Sequence, residues 1–154
     1  MLALASVTAT ISAKLAAASY LSGLTIVNDT GTAADEKSAA DALDAKGVAI
    51  TILPPRAKAS VPTNNSGLAE IDIEIPVFFE LNPERNATAT NPGGANKEML
   101  ALVTAGIQAV LSYRSASSNP QDLFSLSDQA PLELDAFQAG LYCYLVTFQK
   151  RCAI

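Results

Sequence analysis

Four carboxylates alternate along one short stretch of the sequence, and they are the residues best placed to do chemistry. Glu70, Asp72, Glu74 and Glu80 occupy even positions in the stretch E-I-D-I-E-I-P-V-F-F-E-L. Carboxylate oxygens are the ligands that Ca²⁺ and Mg²⁺ prefer, and two carboxyl groups about 5–9.5 Å apart can hydrolyse a glycosidic bond. The pattern therefore raises a metal site and a small carboxylate-dependent enzyme as alternatives.

The spacing of these acids argues against a metal site, whereas it is compatible with a catalytic pair of carboxyl groups. Side chains two residues apart on a strand lie roughly 6.6 Å from each other, too far to share one small ion. No D-x-D-x-D-G loop follows, and alternating acids are common on exposed strands. We therefore expect no catalytic residue, no cofactor and no metal. We interpret Glu70, Asp72, Glu74 and Glu80 as a face that meets solvent or a partner.

The composition narrows the class of protein further. No histidine is present among the 154 residues, so Ser-His-Asp and Cys-His triads are excluded and we expect no enzyme. The net charge of −5 argues against broad coating of nucleic acid, which needs a basic face. The segment from Asn91 to Lys97 has neither phosphate-loop pattern. We expect no membrane span and no signal peptide, since the first 18 residues lack a basic leader.

Hydrophobic periodicity predicts the elements that must position the carboxylates. The stretch Glu70–Leu81 alternates apolar odd and acidic even positions, so it is predicted to be a strand with one apolar face. Pro76 within it predicts an edge or a bulge. The other predicted strands and helices, each supported by periodicity and by flanking turn residues, are the strands Leu24–Val27, Val48–Leu53, Asp122–Ser127 and Leu141–Cys152 and the helices Leu4–Leu21, Asp35–Lys46 and about Asn96 to Tyr113.

The remaining segments are predicted to be loops. We expect flexible loops at about 56–67 and 82–95, and a turn-rich segment from Asp128 to Gly140. Cys143 and Cys152 are nine residues apart in the last strand, on opposite faces, so we expect no disulfide between them. The chain is therefore predicted to be a single α+β domain over 1–154, with a mostly antiparallel β-sheet and two to three α-helices packed on one face.

For the third predicted helix we expect an N-terminal cap, close packing at one glycine and a buried apolar stripe. Asn96 is predicted to cap it, and Gly106 interrupts it at a cost of about 1 kcal/mol, which indicates close packing there. The apolar stripe predicted to be buried consists of Met99, Leu100, Val103, Ile107, Val110 and Leu111.

This succession of segments resembles that of the tail terminator (tail completion, or neck) proteins of tailed bacteriophages. The resemblance lies in the first helix, in the strand Val48–Leu53 with Ala42–Gly47 before it, in the strand Ile71–Leu81, in the turn-rich loop before Met99–Leu111, and in Gly140–Gln149. Together these stretches span most of the chain, and none of them is a diagnostic motif.

The resemblance implies a non-enzymatic virion protein, assembled in the host cytoplasm, that forms a homo-oligomeric ring, usually a hexamer. Such a ring caps the tail tube, joins it to the neck or head, and lets genomic DNA pass without binding it. Six copies at −5 each would carry −30, which would repel DNA phosphates. The resemblance also implies that the face of Glu70, Asp72, Glu74 and Glu80, or the adjoining loops, turns towards the lumen of the ring or towards a partner. The alternatives are another head-tail connector or adaptor, a tail tube subunit, a small carboxylate-dependent enzyme, and an interaction module of a cellular protein.

Overall fold

The computed structural model describes residues 4–58, 70–111, 124–128, 132–138 and 140–153; for 70, 134–138 and 153 only the backbone is described. Within these ranges the chain forms four α-helices and seven strands, with a short 3-10 helix at Ser19–Leu21. The helices are α1 (Leu4–Ala17), α2 (Ala33–Lys46), α3 (Pro83–Asn86) and α4 (Met99–Leu111), and the strands are β1 (Ile26–Asn28), β2 (Val48–Ile52), β3 (Arg56–Lys58), β4 (Glu70–Leu81), β5 (Ser125–Leu126), β6 (Leu132–Gln138) and β7 (Leu141–Ala153).

The strands form one sheet in the order β1-β2-β4-β7-β5. β3 also pairs with β4, and β6 also pairs with β7. The pairing of β1 with β2 is parallel and the other described pairings are antiparallel. The longest ladder joins β4 to β7, from Glu70 opposite Ala153 to Leu81 opposite Tyr142. The predicted α+β class with a mostly antiparallel sheet is confirmed.

The odd-numbered residues of β4 face the main core, as their alternation predicted. Ile73, Ile75, Val77 and Phe79 are almost fully buried, and α1 and α4 cover this side of the sheet. Gly106 of α4 lies directly against the ring of Phe79, so the expected close packing is confirmed. Two helices thus pack on one face, as predicted.

The third long helix, α2, lies on the opposite face of the sheet, beside the even-numbered residues of β4. A capping box begins the helix: Thr32 Oγ1 accepts a hydrogen bond from Asp35 N, and the Asp35 carboxylate accepts one from Thr32 N. Gly47 ends it in the left-handed conformation, with φ 75°. A Cβ at Gly47 would lie 2.5 Å from Arg85 C, so a side chain is excluded there.

The prediction of an edge or bulged strand at Pro76 was wrong. β4 is central, and its register with β7 runs unbroken through the pair of Pro76 and Thr147. On its other side β4 pairs with β3 as far as Glu74 and with β2 from Val77 onward. Pro76 falls between these two ladders, and its carbonyl accepts a hydrogen bond from Leu53 N. Because no strand residue pairs with Pro76 on this side, the missing N–H of proline is tolerated there.

Segments that were predicted to be loops or turns contain two strands and a short helix. The segment 128–140, predicted to be turn-rich, contains β6. In the first predicted loop, Arg56–Lys58 forms β3, and 59–67 lies outside the described residues. The predicted loop 82–95 contains α3. In the part of the chain that the structure describes, no helix combines the length and the apolar character needed to cross a membrane.

In α4 the predicted stripe is partly wrong. Leu102 is buried and was missed, whereas Leu100 is 65% exposed. Asn96 has φ 50° and lies three residues before the helix, so it is not the N-cap. Cys143 and Cys152 are not joined, as expected.

Candidate functional site

Two apolar residues divide the acids of β4 into two groups. Asp72, Glu74 and Glu80 all lie on the face of β4 that is opposite the main core. Pro76 and Phe78 separate the first two acids from Glu80. Glu70 begins the strand, and its side chain lies outside the described residues. The two ends of this face have different surroundings.

At the first end the acids are neutralised by neighbouring strands. Asp72 is 7% exposed, and its two oxygens accept hydrogen bonds from Arg151 Nε at 2.9 Å and Arg151 Nη2 at 3.2 Å. Glu74 accepts a hydrogen bond from Arg56 Nε at 3.2 Å and another from Ser127 Oγ at 2.8 Å. Both carboxylates are therefore occupied by contacts within the fold.

Lys58 extends this network by one more ion pair. It lies opposite Asp72 in the register of β3 and β4, and its Nζ contacts Asp128 Oδ1 at 2.6 Å. The hydrogen bond to Asp128 raises the pKa of Lys58, and the same bond lowers the pKa of Asp128. The network thus holds β3 and residues 127–128 against the ladder of β4 and β7. These ion pairs therefore contribute to the stability of the fold.

At the other end Glu80 is half-buried between Ala49 and Cys143, its neighbours across the strands. Burial raises the pKa of its carboxyl group. Among the described residues, no hydrogen bond or ion pair reaches this carboxylate. Of the three predicted acids whose side chains are described, Glu80 is the one whose charge is not compensated.

Glu80 opens into a cleft of about 440 Å³ between α2 and the sheet, which we call the acidic cleft. Its walls are mostly apolar, with four carboxylates and no lysine or arginine among the described lining residues. The Oγ1 atom of Thr51, in the wall next to Phe78, is buried and has no hydrogen-bond partner in the described part of the chain. The lining residues are Asp29, Asp35, Glu36, Ala39, Ala40, Leu43, Thr51, Leu53, Phe78, Glu80, Leu141 and Cys143.

Two of the carboxylates that line the acidic cleft, Asp35 and Asp29, are held in place by the turn before α2. Asp35 Oδ2 accepts hydrogen bonds from the hydroxyls of Thr30 and Thr32, both at 2.7 Å, and from Thr30 N at 3.0 Å. These bonds, those from Thr30 first, lower the pKa of Asp35 to about 2, so it is charged at neutral pH. Asp29 Oδ1 accepts a hydrogen bond from Gly31 N at 2.7 Å.

The lining of the acidic cleft indicates which kind of group it could bind. Within the described ranges no three Cys, Asp or Glu side chains are grouped as a metal site would require. An apolar wall with carboxylates at its mouth instead matches a group that is both cationic and apolar.

Sequence reasoning found Glu80 but missed the residues that α2 contributes. Most of α2 is exposed, so its charged side chains have the pattern of a solvated helix face. The missed signal is the small size of Ala39 and Ala40, which leaves room between α2 and the sheet. No protein-family model matches the chain, and no curated protein matches it significantly.

Proposed function

We propose that the chain is a structural virion protein of a tailed bacteriophage, of the tail terminator (tail completion or neck) kind. In this proposal, copies of the chain form a ring, hexameric in the usual case. The ring caps the tail tube and joins it to the neck or head, and the genome passes through its channel. The protein is then a component of the virion rather than an enzyme.

The observation that carries the proposal is the arrangement of the segments on which the resemblance rests. β2, β4 and β7 lie side by side in one sheet, α1 and α4 cover one face of it, and α2 lies on the other. These elements build a rigid block with a long central ladder. Within the described residues, its side chains also line the acidic cleft, a concave surface suited to contact with a partner.

The edges of the sheet give a second support for assembly. β1 is a terminal strand of the sheet, and the outer side of β6 pairs with no described strand. Unpaired backbone groups at such edges favour pairing with another chain. Leu132 at the start of β6 also exposes nearly half of its surface.

The test is electron microscopy of negatively stained protein, with light scattering over a range of concentrations. The purified chain is examined alone and after mixing with tail tubes assembled from the tube protein encoded near it. We expect rings with a central channel and density at tube ends, which tubes without the chain lack. No ring in solution or on tubes, with no capsid or tail genes beside the reading frame, would refute the proposal.

A further inference from the structure

The acidic cleft holds one carboxylate that the described chain leaves without a partner. Glu80 is half-buried in its wall, and no hydrogen bond or ion pair among the described residues reaches it. The carboxylate of Asp35, by contrast, already accepts hydrogen bonds from Thr30 and Thr32. Glu36 also lines the cleft and is exposed. A cation that enters the cleft therefore gains most from Glu80, and the other acids add to the attraction.

The wall beside Glu80 determines which kind of cation fits. Phe78, two residues earlier on the same face of β4, lines the cleft and is partly exposed. Thr51 lies opposite Phe78 in the register of β2 and β4, and its buried Oγ1 atom has no described hydrogen-bond partner. Leu43 and Leu141 line the cleft as well. The wall thus combines an unpaired carboxylate with an aromatic ring and apolar side chains.

Arginine fits these surroundings better than lysine does. Its guanidinium group stacks on aromatic rings and donates several hydrogen bonds in one plane. It is also less strongly hydrated than an ammonium group, so it loses less when a half-buried carboxylate draws it out of water. Its aliphatic stem packs against apolar walls. The cleft volume of about 440 Å³ lies within the usual range for sites that enclose a ligand group.

The cleft is open along α2, which favours a side chain carried by a peptide over a free small molecule. Glu36 and Ala40 line the cleft and are exposed, so a peptide lying beside α2 can place a side chain between the helix and the sheet. Sites for free small molecules usually bury most of the ligand's surface. The described lining residues include no lysine or arginine, so the positive charge must come from a partner.

We propose that the acidic cleft binds an arginine side chain of a partner protein, in a peptide segment where apolar residues flank the arginine. The guanidinium group contacts Glu80 and the ring of Phe78, and a flanking apolar side chain packs against Leu43. The remaining carboxylates of the cleft attract the positively charged segment during its approach. The inference goes beyond the proposed function and does not depend on it, since this contact requires neither a ring nor a virion.

Fluorescence anisotropy of a labelled peptide measures this contact on the full chain. The peptide is capped at both ends and carries one arginine between two leucines. In its matched control, citrulline replaces arginine, which keeps the shape of the side chain and removes its charge. We expect the arginine peptide to bind about 10- to 150-fold more tightly than the citrulline peptide, the usual effect of a hydrogen bond between charged groups. A lysine peptide is expected to bind a few-fold more weakly than the arginine peptide.

Glu80→Gln tests whether the arginine reaches the unpaired carboxylate. Glutamine keeps the size of the side chain and removes its charge, so we expect this variant to lose most of the preference for arginine over citrulline. Glu98→Gln is the matched control, since Glu98 is exposed, undergoes the same chemical change and directly precedes α4 on the other face of the sheet. It is expected to bind the arginine peptide like the wild type.

A second variant places a competing guanidinium group in the cleft from within the chain. Ala40→Arg lies at an exposed position of α2 that lines the cleft, and arginine favours helix. We expect it to weaken binding of the arginine peptide about 10-fold, the equivalent of one lost charged hydrogen bond. Ala45→Arg, at an exposed position of the same helix outside the cleft lining, is the control and is expected to bind like the wild type.

Three results would overturn the inference. The first is equal binding of the arginine and citrulline peptides to the wild type. The second is a preference for arginine that persists unchanged in Glu80→Gln and is unaffected by Ala40→Arg. The third is binding of capped arginine alone as tightly as the whole peptide, since the occupant would then be a small free cation. None of these results bears on the proposed function, which is tested by the formation of rings in solution and on tubes.

Discussion

Adding one methyl group at Gly106 tests the packing of α4 on the central strand. Gly106 is buried in the middle of the helix, and a Cβ there would overlap the ring of Phe79, at 2.9 Å from Cε1 and closer still to Cζ. Phe79 is fully buried, so its ring has no open side into which it can move. Leu15 of α1 is the next neighbour, at an ordinary contact distance of 3.5 Å. Gly106→Ala therefore forces α4 or the ring to shift.

Two opposing terms set the size of the effect on the free energy of unfolding. Alanine is a better helix former than glycine by about 1 kcal/mol, which stabilises the variant. Overpacking a well-filled core costs about 1–3 kcal/mol. Because the two carbons would be well inside the usual contact distance of about 3.5–4.0 Å, we take the upper part of that range. The net expectation is a loss of about 2 kcal/mol.

Urea denaturation followed by circular dichroism measures this loss as a lower midpoint with an unchanged slope. Thr104→Ala and Thr104→Gly, at an exposed position of the same helix, calibrate the helix-propensity term alone. In a Phe79→Leu background the clash is relieved, so Gly106→Ala is expected to be stabilising by up to about 1 kcal/mol. If Gly106→Ala alone is as stable as the wild type, α4 does not approach β4 as closely as described.

Three further predictions use single substitutions and the same denaturation assay. Asn86→Ala is expected to lower stability by about 1–3 kcal/mol, since it leaves both backbone groups of Lys97 without partners. Arg151→Met is expected to lower it by about 1–2 kcal/mol, because the nearly buried Asp72 loses two charged hydrogen bonds while the apolar stem is kept. Glu80→Gln is expected to be more stable than the wild type at about pH 8, and to lose this advantage at about pH 4.

The sign of the Glu80 prediction follows from its raised pKa. Above the ordinary value of 4.5 the folded protein binds more protons than the unfolded one, so this carboxyl group makes stability fall as the pH rises. Glutamine carries no charge and removes that fall. Equal stability of the two proteins at both pH values would show that Glu80 is as well solvated in the folded chain as in the unfolded one. For Asn86 and Arg151, a change below about 0.5 kcal/mol would contradict the bonding described.

The elements that were predicted well from the sequence are those whose bounds and buried faces follow from local periodicity. The bounds of β4 were correct because every odd position from Ile71 to Leu81 is apolar. The helix α2 was found within two residues because acids in its first turn and a terminal glycine mark it. Pro76 was misjudged because its effect depends on where β2 ends and β3 begins, which is a matter of tertiary pairing. β6 was missed because its partner, β7, decides that it is a strand.

The candidate site was less predictable, for a physical reason. Alternation places Asp72, Glu74 and Glu80 on one face, but it does not show what lies across from them. The partners of Asp72 and Glu74 come from residues 79 and 18 positions away, and the wall opposite Glu80 comes from α2. The alternating pattern predicts which face of the strand a side chain lies on. Whether its charge is paired depends on residues from several other elements, which the pattern does not predict.

The exposure of the arginines decides which surface could line an acidic channel. The side chains of Arg56 and Arg151 are 61% and 59% exposed, while the carboxylates that they contact are nearly buried beneath them. That end of the sheet therefore presents guanidinium groups to its surroundings, and guanidinium groups attract DNA phosphates. A ring through which DNA slides must turn this surface away from the channel. The helix α2 carries four acids against two lysines and is mostly exposed, so it has the charge that a repelling lumen needs.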